Sequence, residues 1–226
     1  IFDELGVKNN FNVYFKNLNS LGKNVSNYKS SPQIELQSLF EFNSELPLIK
    51  NDQDTTQTLI PRISLKFNPS LKPIPIALAK DDTFEEGGSL TLGINYKKEN
   101  KLDYSKYIEY NLATVFRNEE ENNIPSQTTL NKKQSNIFGS IDYSFSEFGN
   151  LEYNFALDNK LNNFEYNSIS LGLSLNNFIT KFNFIEEESK VGNTNIFENI
   201  SEYNFNENNF ISFKTRRNRE INLTEY

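Results

Sequence analysis

The 226-residue sequence contains no cysteine, no histidine, no methionine and no tryptophan. Without cysteine there are neither disulfides nor thiolate metal sites, although compartment stays open on that count. Without histidine the Ser-His and Cys-His pairs are gone, and so is the commonest base near neutral pH. No Gly-x-Ser-x-Gly elbow and no phosphate-cradling glycine loop is present either. Gly172-Leu173-Ser174 falls inside an alternating strand, where small residues on a polar face are the simpler account. The reading is therefore non-enzymatic, with no cofactor and no metal. Lysine and arginine number 23 against 30 acidic residues, a net charge of -7, which repels phosphate backbones and argues for no nucleic acid partner. No apolar run approaches the roughly 18 residues of a membrane helix. The start, Ile1-Phe2-Asp3-Glu4, lacks the charged and apolar regions of a signal peptide. With no methionine as well, the chain reads as an internal piece whose start lies elsewhere.

What the sequence does have is alternation. Hydrophobic residues make up 36% and aromatics 14%, and from Asn136 to Glu186 they fall at every second position between short turns. Leu151, Tyr153, Phe155 and Leu157 share one face, with Glu152, Asn154, Ala156 and Asp158 on the other, the two-residue period of a strand. Ile137 to Phe145, Ile169 to Leu175 and Phe178 to Phe184 repeat the pattern. The turn at Asn176-Asn177 suits a tight hairpin, because asparagine tolerates positive φ. The mean hydropathy of -0.63 does not exclude a membrane, since a transmembrane barrel is apolar only at alternate positions.

Earlier in the chain, strands are expected over Asn10–Leu18, Gln33–Phe42 and Leu59–Asn68, with Pro61 near the start of the last because proline cannot donate to a ladder. Pro69 to Gly88 reads as a long loop or lid. A strand over Leu90 to Tyr96 returns through Lys97 to Ser105 into another from Lys106 to Arg117. Asn118 to Ser135 and Glu187 to Asn195 read as loops. Strands ending at Phe205 and Arg216 flank the turn Asn206 to Asn209, and a last one starts at Glu220. About twelve strands result, without a helical period. Short turns alternate with longer loops, as in outer-membrane barrels. Only Asn43 to Thr58 breaks that parity, being long where a short turn belongs.

Three groups of residues are candidates for function. Arg62, Ser64 and Lys66, with Glu35 and Gln37 on the preceding strand, form a polar face. If Ile63, Leu65 and Phe67 face lipid, that polar face lines a lumen, because a Lys or Arg at the lipid midplane costs about 2–4 kcal/mol. The competing reading is an ion-pair network that holds the wall. Arg216, Arg217 and Arg219 lie at the end of a hairpin whose parity puts it outside, where guanidinium groups suit lipid phosphates; a solvated turn is the alternative. Glu119 to Glu121 and Glu186 to Glu188 offer carboxylates to divalent cations, or are solvated loop charge. Phe116, Phe145 and Phe205 at strand ends suit interfacial girdles or a soluble core.

From Gln57 to Tyr96 the residues TLIPRISLKFNPS and DDTFEEGGSLTLGINY resemble the C-terminal barrel domain of the LptD family of lipopolysaccharide-assembly outer-membrane proteins. Leu59, Pro61, Arg62 and Pro69 match the family's Leu-x-Pro-Arg-like strand start and the proline after it. Asp82, Glu86, Gly87, Gly88 and Gly93 resemble the Gly-rich start of the next strand. Leu71 to Lys80, LKPIPIALAK, departs from the family's Asn-Leu-Phe-Ser-like run. The resemblance implies a single partial β-barrel domain over residues 1–226: an all-β, antiparallel, up-and-down meander that is an incomplete portion of a large outer-membrane barrel. It lacks the periplasmic jelly-roll and the terminal strands. It further implies a non-catalytic conduit that inserts lipopolysaccharide into the outer leaflet, with an LptE-like lipoprotein plug and periplasmic transport-bridge proteins as partners. A porin-like channel or receptor is the alternative, and a soluble secreted β-sandwich or adhesin module a further one.

Overall fold

A computed structural model describes residues 6–21, 30–69, 85–121, 129–189, 192–206 and 208–226. Among them there is strand and turn but no helix. Thirteen strands follow in chain order: β1 Lys8–Ser20, β2 Gln33–Glu45, β3 Leu48–Asn51, β4 Thr55–Asn68, β5 Gly87–Asn100, β6 Tyr107–Arg117 and β7 Ile137–Ser146. After these come β8 Gly149–Leu157, β9 Phe164–Leu175, β10 Phe178–Ser189, β11 Gly192–Asn206, β12 Asn209–Asn218 and β13 Leu223–Glu225. They form one sheet in sequence order, with β3 set beside β4. The pairings of β1 through β4 and of β6 through β13 are antiparallel. Among the described residues β1 pairs with β2 and β13 with β12, so the meander has two edges.

The contacts group into two units. The first comprises residues 1–46, 62–92 and 114–135, the second residues 47–61, 93–113 and 136–226. In the first, period-two alternation and register place Phe11 beside Phe42, and Phe42 beside Leu65. Val13, Phe40 and Phe67 line up in the same way. This apolar face is open: Phe11 is 64% exposed, Phe15 70% and Ile34 78%. In the second unit the rows Tyr153, Ile169, Phe184, Phe197 and Leu151, Leu171, Phe182 run across β8 to β11. Tyr153 stacks on Phe155 with centroids 5.4 Å apart, and Phe155 meets Phe164 edge to face. Gly139 makes room for this row, because a Cβ there would meet the Phe155 ring at 2.2 Å.

No buried apolar core is present among the described residues. Among the described residues Ala156 is the buried apolar side chain, whereas Gln37, Asn68, Asn95, Arg117, Glu121, Thr129, Ser135, Asn136, Ser144 and Thr180 are buried polar ones. Buried polar groups require partners. On the otherwise apolar face of the second unit, Thr180, Asn199 and Ser201 supply them to one another: Asn199 Nδ2 donates to Thr180 Oγ1 at 3.0 Å, and Ser201 Oγ to Asn199 Oδ1 at 3.1 Å.

Two sequence expectations are corrected. Asn43 to Thr58 is not a long loop: β2 runs on to Glu45, β3 resumes after Pro47, and both pair along β4. The true connection is the turn after Asn51, closed by Asp52 N donating to Thr55 O at 2.9 Å. The parity of short turns is thereby restored. Glu187 to Asn195 is not a loop either, since β10 and β11 stay paired from Glu186–Asn195 to Ser189–Gly192. Backbone hydrogen bonds carry the ladder there although the apolar alternation has stopped. Several of the other turns are made by Asn. Asn176 takes φ 50°, Asn206 Oδ1 accepts from Asn208 N and Asn209 N at 3.0 Å, and Asn218 Oδ1 accepts from Glu220 N at 3.0 Å. These side chains satisfy turn amides that the ladder leaves unpaired.

Candidate functional site

The polar face of the first unit is a ladder of opposite charges and amides. Register sets Glu41 opposite Lys66, Asn43 opposite Ser64, and Glu45 opposite Arg62. On the other side β1 brings Asn12 to Glu41 and Lys8 to Glu45. Asn12 Nδ2 donates to Glu41 Oε2 at 3.2 Å, and Tyr14 OH donates to the same oxygen at 3.1 Å. Arg62 Nε lies 3.9 Å from Glu45 Oε1, and Lys8 Nζ 4.0 Å from Glu45 Oε2. The long distances and half-open side chains make these weak pairs, worth about 0–1 kcal/mol each.

Arg62, Ser64 and Lys66 therefore do share a face, but their cross-strand partners are Glu45, Asn43 and Glu41. Glu35 and Gln37 lie beyond the β2–β4 pairing, opposite Leu18 and Lys16 of β1. Gln37 is buried, and the side chain of Glu35 is outside the described ones. The sequence reading missed Glu41 because parity gives the face of a residue but not its partner, and missed Asn43 and Glu45 because it ended that strand at Phe42.

In the second unit the polar face continues the same chemistry. Asn95 Nδ2 donates to Glu109 Oε1 at 2.6 Å and to Asn111 Oδ1 at 2.7 Å, and Asn111 passes a bond to Ser140 at 3.2 Å. Glu109 faces Asp142, which faces Glu152. Lys97 pairs with Glu99 at 2.8 Å and sits 5.2 Å over the Tyr107 ring. Further along, Ser170 Oγ donates to Asn183 Oδ1 at 2.9 Å, Asn183 Nδ2 to Glu198 Oε1 at 3.3 Å, and Lys214 joins Glu198 at 2.8 Å. Such a surface offers hydrogen-bond donors and acceptors together with charges of both signs. It contains no group of three or more metal-ligating side chains among the described residues.

The most deeply buried polar cluster sits in the first unit, where β4, β5 and β6 meet their long connections. Arg117 Nη2 pairs with Glu85 Oε2 at 2.8 Å, and Arg117 Nε donates to Leu130 O at 2.7 Å. Asn68 Nδ2 donates to Glu85 O at 3.0 Å. Glu121 accepts from Glu86 N, and its own amide donates to Asn131 O at 2.8 Å. Ser135, fully buried, receives Val115 N on its hydroxyl at 2.9 Å. These bonds fasten described residues 129–135 to the end of β6. No motif marks this cluster in the sequence, since Arg117 and Glu85 stand 32 residues apart.

The remaining candidates disperse. Arg216 and Arg217 are successive on β12 and so point to opposite faces: Arg216 lies opposite Glu198 and Arg217 opposite Phe197. Arg217 Nη2 donates to Asn222 Oδ1 at 3.3 Å, and Arg219 lies in the following turn with its amide on Asn195 O. They form no common anion cradle. Glu121 is committed to the Glu86 amide, and Glu186 accepts from Asn195 Nδ2 at 3.1 Å. Phe116, Phe145 and Phe205 are each the penultimate residue of their strand. Leu71 to Lys80 and Asp82 lie outside the described residues. Compared with known proteins, the sequence matches no family model and none of the curated proteins.

Proposed function

We propose that the chain forms part of the wall of an outer-membrane β-barrel within the machinery that inserts lipopolysaccharide into the outer leaflet, as a non-catalytic conduit. The observation that carries the membrane part is the lack of an apolar core: large apolar strand residues such as Phe11, Phe15, Ile34 and Phe213 are exposed, while among the described residues the buried side chains other than Ala156 are polar. In water, exposed residues such as Phe15 and Ile34 forgo about 1.5–3 kcal/mol of burial each. In hydrocarbon that loss disappears. All described strands belong to one meander, and this weighs against a soluble sandwich, which buries its apolar faces between two sheets. Strands of 9 to 15 residues for β4 to β12 reach or exceed the roughly 9–11 needed to cross obliquely.

The lipopolysaccharide part rests on the resemblance of Gln57 to Tyr96 to the LptD family. It is compatible with a polar face of mixed charge that hydrogen-bonds sugar and phosphate. On this reading the chain is one partial barrel domain. Its partners are lipopolysaccharide, an LptE-like lipoprotein plug and periplasmic bridge proteins, and its place is the outer membrane. The test is photo-crosslinking in the membrane from probes set singly at Arg62, Lys66 and Ile63. Lipopolysaccharide adducts from Arg62 and Lys66 but not Ile63 are expected. A folded, membrane-inserted protein that captures none from any of the three positions overturns the conduit reading and leaves a porin-like channel or receptor.

A further inference from the structure

The apolar face of the first unit is not smooth. A hollow of about 480 Å³ opens among Phe11, Phe40, Phe42, Leu65, Phe67 and Phe116. The first five belong to the apolar side by strand parity and register, and Phe116 shares the parity of Tyr110 and Leu112 on β6. The intervening residues Glu41, Lys66, Ser89 and Arg117 send their side chains to the other face, so their backbone forms the floor. At one end, where β5 begins and β6 has just finished, the wall turns polar. There Asn118 Oδ1 accepts from Gly88 N at 2.8 Å, and Asn118 Nδ2 donates to Glu119 Oε1 at 3.2 Å. An amide nitrogen carries two N–H bonds, so among the described residues one further donor remains at this end.

We propose that this hollow seats one acyl chain of a membrane lipid, its methylenes against the phenylalanines and its ester carbonyl at Asn118. The inference rests on the membrane reading above and deepens it. Size selects the occupant. A helix about 10 Å across fills roughly 400 Å³ per turn, so the hollow takes about one turn and no docked helix. A second sheet packs about 10 Å away across a whole face rather than into a pit. The volume falls within the ~300–1,000 Å³ of small-molecule pockets. The polarity gradient selects the orientation. Apolar walls lie toward the strand interiors and an amide lies at the strand ends, the order met along a lipid from chain to ester.

These 226 residues contain no tryptophan, so a single introduced indole reports alone once any tryptophan elsewhere in a longer chain is replaced by phenylalanine. Phe116→Trp places it in the hollow, and Leu90→Trp at a second lining position serves if the first variant does not fold. Ile169→Trp places it on the apolar face of the second unit. Each purified protein is titrated in detergent micelles with phosphatidylcholine brominated along its chains, then reconstituted in bilayers of the same lipid. In micelles, quenching at the hollow is expected to saturate near one lipid per protein and to be relieved by unbrominated lipid. Quenching of Ile169→Trp is expected to follow the bulk lipid fraction. Identical curves for the two positions overturn the acyl site. Quenching of Ile169→Trp in bilayers with none at the hollow also overturns it, by showing another occupant, while the membrane reading survives. No quenching in bilayers at either position removes both.

Discussion

Arginine placed at successive positions of β9 separates a lipid-facing wall from a soluble sheet. The strand Phe164–Leu175 has 12 residues; at about 3.3 Å per residue and a tilt of about 40° it rises roughly 30 Å, the thickness of the hydrocarbon core. Ile169 stands near its middle, between Tyr153 and Phe184, and is 40% exposed. Ser168, one residue earlier, faces the polar side between Asn154 and Ile185. In a bilayer, Ile169→Arg is expected to cost about 2–4 kcal/mol, the price of a cation at the midplane. That is roughly a 30- to 1,000-fold shift in the unfolding constant. Ser168→Arg is expected to stay within about 0.5 kcal/mol, as at a solvated surface. Phe178→Arg, at the start of β10, tests depth and is expected to cost about 0–1 kcal/mol. The assay is reversible urea unfolding of the protein in lipid vesicles, followed by its circular dichroism. Equal costs at 168 and 169, or no cost at 169, refute the lipid-facing reading, since a side chain already open to water accepts arginine freely.

Other perturbations test local packing and turns. Gly139→Val puts branches where a Cβ alone would already meet Phe155 at 2.2 Å and Leu112 at 2.9 Å; a loss of about 1–3 kcal/mol is expected from overpacking, read by the same urea titration. Arg117→Ala removes the partner of Glu85 and the donor to Leu130 O. Breaking a buried pair costs about 3–5 kcal/mol, and the lower end is expected because the Glu85 side chain is 37% exposed; faster proteolysis within residues 118–136 is the readout. Asp103, in the turn between β5 and β6, is held below its ordinary carboxyl range by hydrogen bonds from Ser105 and then Lys106. A depressed folded pKa means the turn's contribution is present above the unfolded value near 3.9 and is lost as pH falls through the lower folded value. A carboxyl titration by NMR is expected to place Asp103 below that value, and Ser105→Ala to raise it.

How much of this was legible in the sequence depends on what each feature is made of. Strands whose faces differ chemically, such as Leu151 to Leu157 against Glu152 to Asp158, announce themselves by period two. Where the contrast stops, the ladder does not. β3 was hidden by Leu46-Pro47, which interrupts the alternation without ending the pairing to β4. The ends of β10 and β11 were hidden by Glu186 to Glu188, whose charges say nothing about backbone bonds. Partners were harder than faces. Period two places Arg62, Ser64 and Lys66 together but permits any even register shift, and only the pairing of Phe40 with Phe67 fixes Glu41 opposite Lys66 instead of leaving Glu35 and Gln37 there. The Arg117–Glu85 pair joins the end of β6 to the residues before β5, and no strand periodicity places Glu85. Grouping Arg216 with Arg217 was a different kind of error. The same period that identified the strands separates adjacent residues onto opposite faces, so closeness in sequence along a strand is a reason to expect two sites rather than one.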